Sequence, residues 1–373
     1  MNYKRILLFA IIVFTVNCSS EPEAQVADTN TTYTLEQVLD RSFIPWGMEW
    51  LPDGEFLVAD RAGDLWIIEN GVMRDEPVTG LPPVYVSGQG GLLDLELHPD
   101  YENNGWIYIS MSSSEGGGDG GNTKIIRAKL DGNALTDVEE LYKGVPNTTR
   151  GVHFGSRLEF DDEGYLYFSI GDRGNRDVLP QDITKDGGKI YRIHDDGRIP
   201  ADNPFMNDSG AKTAIYSYGH RNPQGLAKNP YTGKIWEHEH GPRGGDELNI
   251  IEPGKNYGWP ILSYGINYNG TSFAEDTVRE GMENPISYWV PSIAPSGMDF
   301  VTSDIYPNWQ GDLLIGSMKF SYLVRCEIEG DEVVNQEILF RDVGRVRNVR
   351  QGPDGYVYLA VDGKGIFKVV PQS

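Results

Sequence analysis

The 373-residue sequence holds only two cysteines, Cys18 and Cys326, and six histidines. Thiols this few and this far apart make neither a disulfide framework nor a thiolate metal centre, since both need cysteines in groups. Positive charge is also scarce. Thirty-two lysines and arginines stand against 55 aspartates and glutamates, a net charge of −23. Such a chain repels phosphate backbones, so nucleic acid is excluded as an expected partner, and a solvated acidic surface is the plain reading. Helical periodicity is nearly missing, with "TLEQVLDRS" as the exception. The one long apolar run, Ile6 to Val16, follows Lys4 and Arg5 at the very start. It is too short to span a bilayer and fits the apolar part of an export signal.

That run ends at "TVNCSS". A cysteine directly after such a segment resembles a bacterial lipoprotein processing site, with Cys18 as the acylated first residue. Asn17 departs from the small residue usual there, which keeps plain secretion as the alternative. The expected organisation is a signal over 1–17, a polar tether over 18–39 and one domain over 40–373. The product is expected to be exported, either periplasmic or held at the outer membrane or cell surface by a lipid on Cys18. Cys326 then has no partner, and its place in the alternating "YLVRCEIEG" marks it as a core thiol.

What the chain does have is 45 glycines, 20 tyrosines and eight tryptophans, a composition of short strands and many turns. One phrase recurs: a β-like run, a tight turn, a second β-like run. Its copies are "MEWLPDGEFLVAD" (48–60), "LELHPDYENNGWIYISM" (95–111), "LEFDDEGYLYFSIGD" (158–172), "LAKNPYTGKIWEHEH" (226–240), "MDFVTSDIYPNWQGDLLIGSM" (298–318) and "VRQGPDGYVYLAVD" (349–362). Alternating apolar residues around a turn that tolerates positive φ make a hairpin. A second hairpin often follows, as in "GKIYRIHDDGRI", and two hairpins make a four-stranded sheet. The expected fold is all-β: a six-bladed β-propeller with four-stranded antiparallel blades. Two packed β-sandwiches would also give hairpins but would leave the repetition unexplained.

In a propeller, residues at equivalent places in different copies meet at a central mouth. His153 precedes the third copy and Asp172 ends it, so a tight hairpin sets them side by side. An imidazole oriented by a carboxylate is a general-base arrangement, although a surface histidine beside an aspartate reads the same way. Arg221 and Asn222 enter the fourth copy, Lys319 ends the fifth, and Arg345 and Arg347 enter the sixth. Four cations at copy boundaries of an acidic protein point to an anionic ligand. The stretch "WEHEHGPRGGD" leaves the fourth copy. Its Gly241 and Pro242 can turn carbonyls toward a hard cation, with Asp246 or Glu247 adding a carboxylate. His238 and His240 sit two apart on one strand face, but no third ligand suited to zinc or copper accompanies them.

The motifs "QGGLLDLELHPDY", "HFGSRLEF", "GHRNPQGLA", "EHGPRGGDELNII", "GKNYGWP" and "QGPDGYVY" occur in that order. Together they resemble the soluble pyrroloquinoline-quinone-dependent sugar dehydrogenases, especially their aldose sugar dehydrogenase branch, over about 40–371. The resemblance implies a propeller holding the quinone and Ca²⁺ at its mouth. It implies His153 as general base for the C1 hydroxyl of an aldose, supported by Asp172, and Arg221 stabilising charge on the quinone. Gln89, Asn222, Lys319, Arg345 and Arg347 match further quinone contacts. The carbonyls of Gly241 and Pro242 match ligands of a catalytic Ca²⁺, and Glu247 with the main chain of Tyr257 matches a second calcium site. Trp289 matches an aromatic wall for the sugar.

An acidic residue often precedes the base in glucose-specific relatives, where this chain has Val152, and the long insertions of those relatives are not evident. A monomer without strict glucose preference is therefore expected. No C-x-x-C-H haem motif is present, so electrons are expected to leave to a separate carrier protein or quinone. Two other readings remain for a propeller of this kind. One is a calcium-dependent lactonase or esterase, which has no use for four cations. The other is a non-enzymatic carbohydrate-binding propeller.

Overall fold

A computed structural model describes residues 27–28 and 33–372. The signal segment, Cys18 and most of the tether lie outside the described residues. The regular secondary structure of the described residues is nearly all strand, in six antiparallel four-stranded sheets. Blade one is built from Pro45–Trp50, Phe56–Asp60, Leu65–Glu69 and Val72–Met73. Blade two follows with Leu92–Leu97, Trp106–Ser113, Asn122–Asp131 and Ala134–Lys143. Blade three has Leu158–Phe160, Tyr165–Ile170, Lys189–His194 and Ile215–Tyr218. Blade four has Pro223–Lys228, Ile235–Glu239, Asp246–Ile250 and Ser287–Trp289. Blade five has Pro295–Phe300, Leu313–Ser317, Tyr322–Glu329 and Glu332–Leu339, with Ala27–Asp28 added in parallel at its outer edge.

Blade six takes three strands, Val346–Gln351, Val357–Val361 and Gly365–Pro371, from the end of the chain. Its outer strand, Tyr33–Leu39, comes from the beginning and pairs antiparallel with Gly365–Pro371. This corrects two expectations. The "TLEQVL" run is a strand, and the sheet begins inside the segment assigned to the tether. Pairing with an open edge overrides the weak helical pattern, because the last blade would otherwise leave backbone donors unpaired. Closing the ring with an early strand also ties the two ends of the domain together.

The first strand of each blade packs beside the first strand of the next, around a closed ring. The fold is a six-bladed β-propeller. Each interface between blades has its own apolar cluster. Leu57, Leu65, Leu95 and Ile107 join blades one and two, and Leu314, Leu323, Val349 and Leu359 join five and six. Second strands are buried on both faces, which is why "YLYFSI" and "VYLAV" read as nearly continuous apolar runs. The recurring turn needs a left-handed residue: Gly54, Gly164 and Gly355 have φ of 90°, 80° and 80°. Below the mouth Arg157 closes the axis. Its guanidinium donates to Asp94 and to the carbonyls of Trp46, Gln224 and Arg347, lying 4.0 Å from the Trp46 ring.

Candidate active site

The loops into the first strands and out of the second strands meet at one end of the ring. His153 and Asp172 flank the first hairpin of blade three, and His153 Nδ1 lies 2.6 Å from Asp172 Oδ1. Asp172 is buried and also accepts hydrogen bonds from the Gly174 amide at 2.7 Å and the Trp259 indole at 2.8 Å. Burial pushes this carboxyl up, but the His153 hydrogen bond and the charges of His153 and Arg221 hold it below its ordinary value. It therefore stays ionised and accepts the Nδ1 proton, leaving Nε2 of a neutral imidazole open. Burial outweighs Asp172 at His153 and lowers its pKa below 6.5. The imidazole is thus a free base at neutral pH.

The backbone around His153 is tightly specified. His153 has φ of 54°, a left-handed conformation that costs energy outside glycine. Its amide donates to Gln89 Oε1 at 2.7 Å. Arg173, buried and stacked 3.4 Å from the Phe154 ring centroid, donates to the carbonyls of Gly121, Arg150 and Val152. Arg173 reads as a surface residue in "GDRGNRD" until its contacts are seen.

Two cavities adjoin this pair. The larger, about 320 Å³, is lined by Trp46, Gln89, Asn222, Arg345 and Arg347 among others. Arg347 forms a two-pronged pair with Asp362, at 3.1 and 2.6 Å, and Arg345 reaches the same carboxylate at 3.4 Å. Lys319 lines neither cavity: it follows Met318 of the larger one and is exposed, with its ammonium 4.9 Å from the Phe320 ring centroid and no carboxylate partner among the described residues. The smaller cavity, about 240 Å³, holds His153, Asp172, Arg221, Pro242, Trp259 and Tyr268. The cations expected at the mouth are therefore divided. Arg345 and Arg347 face the larger cavity, Arg221 the smaller, and Lys319 neither.

The loop "HGPRGGD" is pinned by Asp246. This carboxylate accepts from the Gly241 amide at 2.8 Å, the Ser292 hydroxyl at 2.7 Å and the Ala294 amide at 2.9 Å. Burial raises its pKa to about 6. With both oxygens occupied, Asp246 shapes the loop. Behind it, Glu237 and Glu239 are buried with Asn249 and His220, half-buried Glu247 pairs with Glu239 across the sheet, and desolvation pushes Glu237 and Glu247 well above the carboxylate range. Glu239 is used by the amides of Arg221 and Asn222. His220 Nδ1, Glu237 Oε1 and Asn249 Oδ1 are buried without a hydrogen-bond partner. Ligand atoms of His220, Glu237 and Glu239 lie within 4.8 Å of one another, a grouping able to hold a metal ion. Tyr257 stacks on His220 with centroids 4.6 Å apart.

Trp289 does not face the mouth: it is buried between blades four and five, and its indole donates to Gln336 at 2.8 Å. Alternation along Ser287–Trp289 turns Tyr288 outward and Trp289 inward. The aromatics at the smaller cavity are Trp259 and Tyr268. His240 hydrogen-bonds the Pro295 carbonyl at 2.7 Å, while His238 is fully buried and its ring nitrogens find no partner. Asp362, Trp259, Arg173 and His220 were not singled out from sequence. Asp362 had a signal: it ends the second strand of its copy just as Asp172 closes the third.

Residues 43–368 match the model of the Glucose / Sorbosone dehydrogenase family. The chain belongs to that family. A curated member, Aldose sugar dehydrogenase YliI of Escherichia coli (strain K12), is 42% identical over 350 residues, covering 92% of this chain and 94% of that protein. Among solved family structures, the soluble aldose sugar dehydrogenase from Escherichia coli in its apo form superposes with a TM-score of 0.86 at 39% identity, over 91% of this chain and 99% of the other. The PQQ-bound aldose sugar dehydrogenase of Streptomyces coelicolor gives a TM-score of 0.74 at 27% identity, over 92% and 99%.

Proposed function

We propose that this family member is an exported pyrroloquinoline-quinone-dependent dehydrogenase that oxidises the C1 hydroxyl of aldoses to lactones. The observation that carries the reading is the His153–Asp172 pair beside a cavity lined by Arg345 and Arg347. The reading is supported by the aldose sugar dehydrogenase of Escherichia coli and the PQQ-bound aldose sugar dehydrogenase of Streptomyces coelicolor, to which the chain is similar. The donor set fits the cofactor: a tricarboxylate needs cations and amides, and Gln89, Asn222, Arg345 and Arg347 offer them around a cavity of ligand size, where Lys319, next in the chain to the lining residue Met318, would have to swing in. A cation also fits, since Glu237 and Glu239 are buried together, with half-buried Glu247 across the sheet, beside orphaned oxygen and nitrogen atoms. Gly241 and Pro242 would hold the catalytic Ca²⁺, and Glu247 with the Tyr257 main chain a second one.

When bound, the quinone supplies the hydride acceptor and calcium the Lewis acid. The chain supplies the rest. His153 Nε2 takes the hydroxyl proton, and Asp172 holds the tautomer and stabilises the imidazolium that results. Arg221 places positive charge beside the reacting centre, its guanidinium held at 2.8 Å by the His240 carbonyl. The sugar would occupy the smaller cavity, with Tyr268 open at its edge. Electrons would pass to a separate carrier, and we place the protein as a monomer held outside the cytoplasm by a lipid on Cys18.

The test is oxidation of a panel of aldoses linked to dye reduction, after addition of pyrroloquinoline quinone and Ca²⁺. Cofactor-dependent turnover is expected. Absence of turnover with every aldose, together with lactone hydrolysis that needs only Ca²⁺, would replace this reading with a lactonase.

A further inference from the structure

We propose that Trp259 is a positioning residue that sets both the base His153 and the cation Arg221 through one indole ring. The inference rests on the catalytic reading above. It starts from the second oxygen of Asp172. Oδ1 faces His153 Nδ1 and the Gly174 amide, and Oδ2 takes the indole N–H of Trp259 at 2.8 Å. A carboxylate free at one oxygen can rotate about its Cβ–Cγ bond. One held at both oxygens presents a fixed lone pair to the imidazole.

The ring itself has little freedom. Trp259 is 6% exposed. The Arg221 guanidinium carbon lies 5.4 Å from its ring centroid, within cation–π range. Phe273 meets it at 5.3 Å and 73°. The Trp259 amide donates to the Gly219 carbonyl at 2.8 Å, and its own carbonyl accepts from Gln181 at 2.8 Å. Backbone and ring are thus anchored on blade three, which also carries Asp172. Trp259 also lines the smaller cavity, but with 6% of it exposed, neighbours on its ring and its N–H engaged, it acts on the reaction through Asp172 and Arg221 rather than by stacking on sugar.

The direction of the effect follows from the donor count. Removing the indole N–H leaves more negative charge on the Asp172 carboxylate available to His153, which favours the imidazolium. Trp259→Phe should therefore move the His153 titration midpoint up by roughly half a unit to one unit. In the reconstituted enzyme kcat should fall roughly 10- to 100-fold with KM nearly unchanged, the effect of one hydrogen bond to a charged group.

The decisive measurement is the imidazole titration of cofactor-free protein by ¹H–¹⁵N NMR, comparing wild type with Trp259→Phe. It does not depend on turnover, so it separates this assignment from the proposed activity, which the dye assay tests. A midpoint unchanged or moved downward overturns the assignment. In an Asp172→Asn background the same substitution should change nothing, because the link has already been cut; a full-sized shift there also overturns it. If Trp259→Phe fails to fold, the wild-type indole N–H resonance serves. It should shift with the His153 titration, and an indole signal indifferent to it refutes the link.

Discussion

Gly241→Ala gives a sharp test of the proposal that the loop after the second strand of blade four holds calcium. Gly241 needs no positive φ; what it needs is space. A Cβ on Gly241 would stand 2.2 Å from the Gly244 carbonyl oxygen and 2.3 Å from that of Gly245. Both obstacles are backbone, and both glycines have φ that other residues avoid, 90° and 69°. The loop is also tied down by the Gly241–Asp246 hydrogen bond at 2.8 Å and the Gly245–Trp289 backbone bond at 2.8 Å. Relief therefore has to come from moving the loop. Overpacking of this kind costs about 1–3 kcal/mol. Calcium ligands sit at about 2.3–2.6 Å, so a carbonyl displaced by several tenths of an ångström no longer serves. If about 1.4–3 kcal/mol of that strain appears in binding, calcium affinity falls roughly 10- to 100-fold. Titration calorimetry of Ca²⁺ into chelator-stripped protein measures this, and melting curves with and without Ca²⁺ separate lost affinity from lost stability. Chelation of the wild type should reproduce the mutant's loss of quinone retention, and added Ca²⁺ should rescue the wild type far better. Zn²⁺ should not substitute at an all-oxygen carbonyl site. Wild-type calcium affinity in Gly241→Ala would refute the assignment of this loop.

His153→Ala should lower turnover by roughly 10²–10⁴-fold while quinone binding persists, measured by dye reduction and by cofactor titration. Because burial holds His153 below its ordinary 6.5, the neutral base persists below that pH; the acid limb of kcat/KM should lie under 6.5, and a limb at or above it contradicts the base assignment. Lys319→Ala should weaken quinone binding only about tenfold, since the ammonium is exposed and solvent screens it; unchanged reconstitution at limiting quinone would remove Lys319 from the site. Cys18→Ser should shift the protein from the membrane fraction to the soluble fraction, and unaltered fractionation would favour ordinary secretion.

The blades were legible in the sequence because their causes are local. Alternation, a turn glycine and a second run lie within one phrase, and repetition of that phrase demands stacked sheets. His153 and Asp172 were legible for the same reason: one hairpin brings them together. Gly241 stood out because a glycine-rich turn follows a strand directly. Other features depend on partners far along the chain. "TLEQVL" becomes a strand only because Gly365–Pro371 offers an edge at the other end of the molecule. Trp289 looked like a cavity wall, and only the packing of blade four against blade five turns it into the core. Trp259 reaches Asp172 across 87 residues, and Arg157 reaches Arg347 across 190. Residue type and spacing determine strands, turns and which side chains approach the mouth. Which oxygen meets which donor there is decided by the closure of the ring, since only the closed ring fixes the distances between loops of different blades.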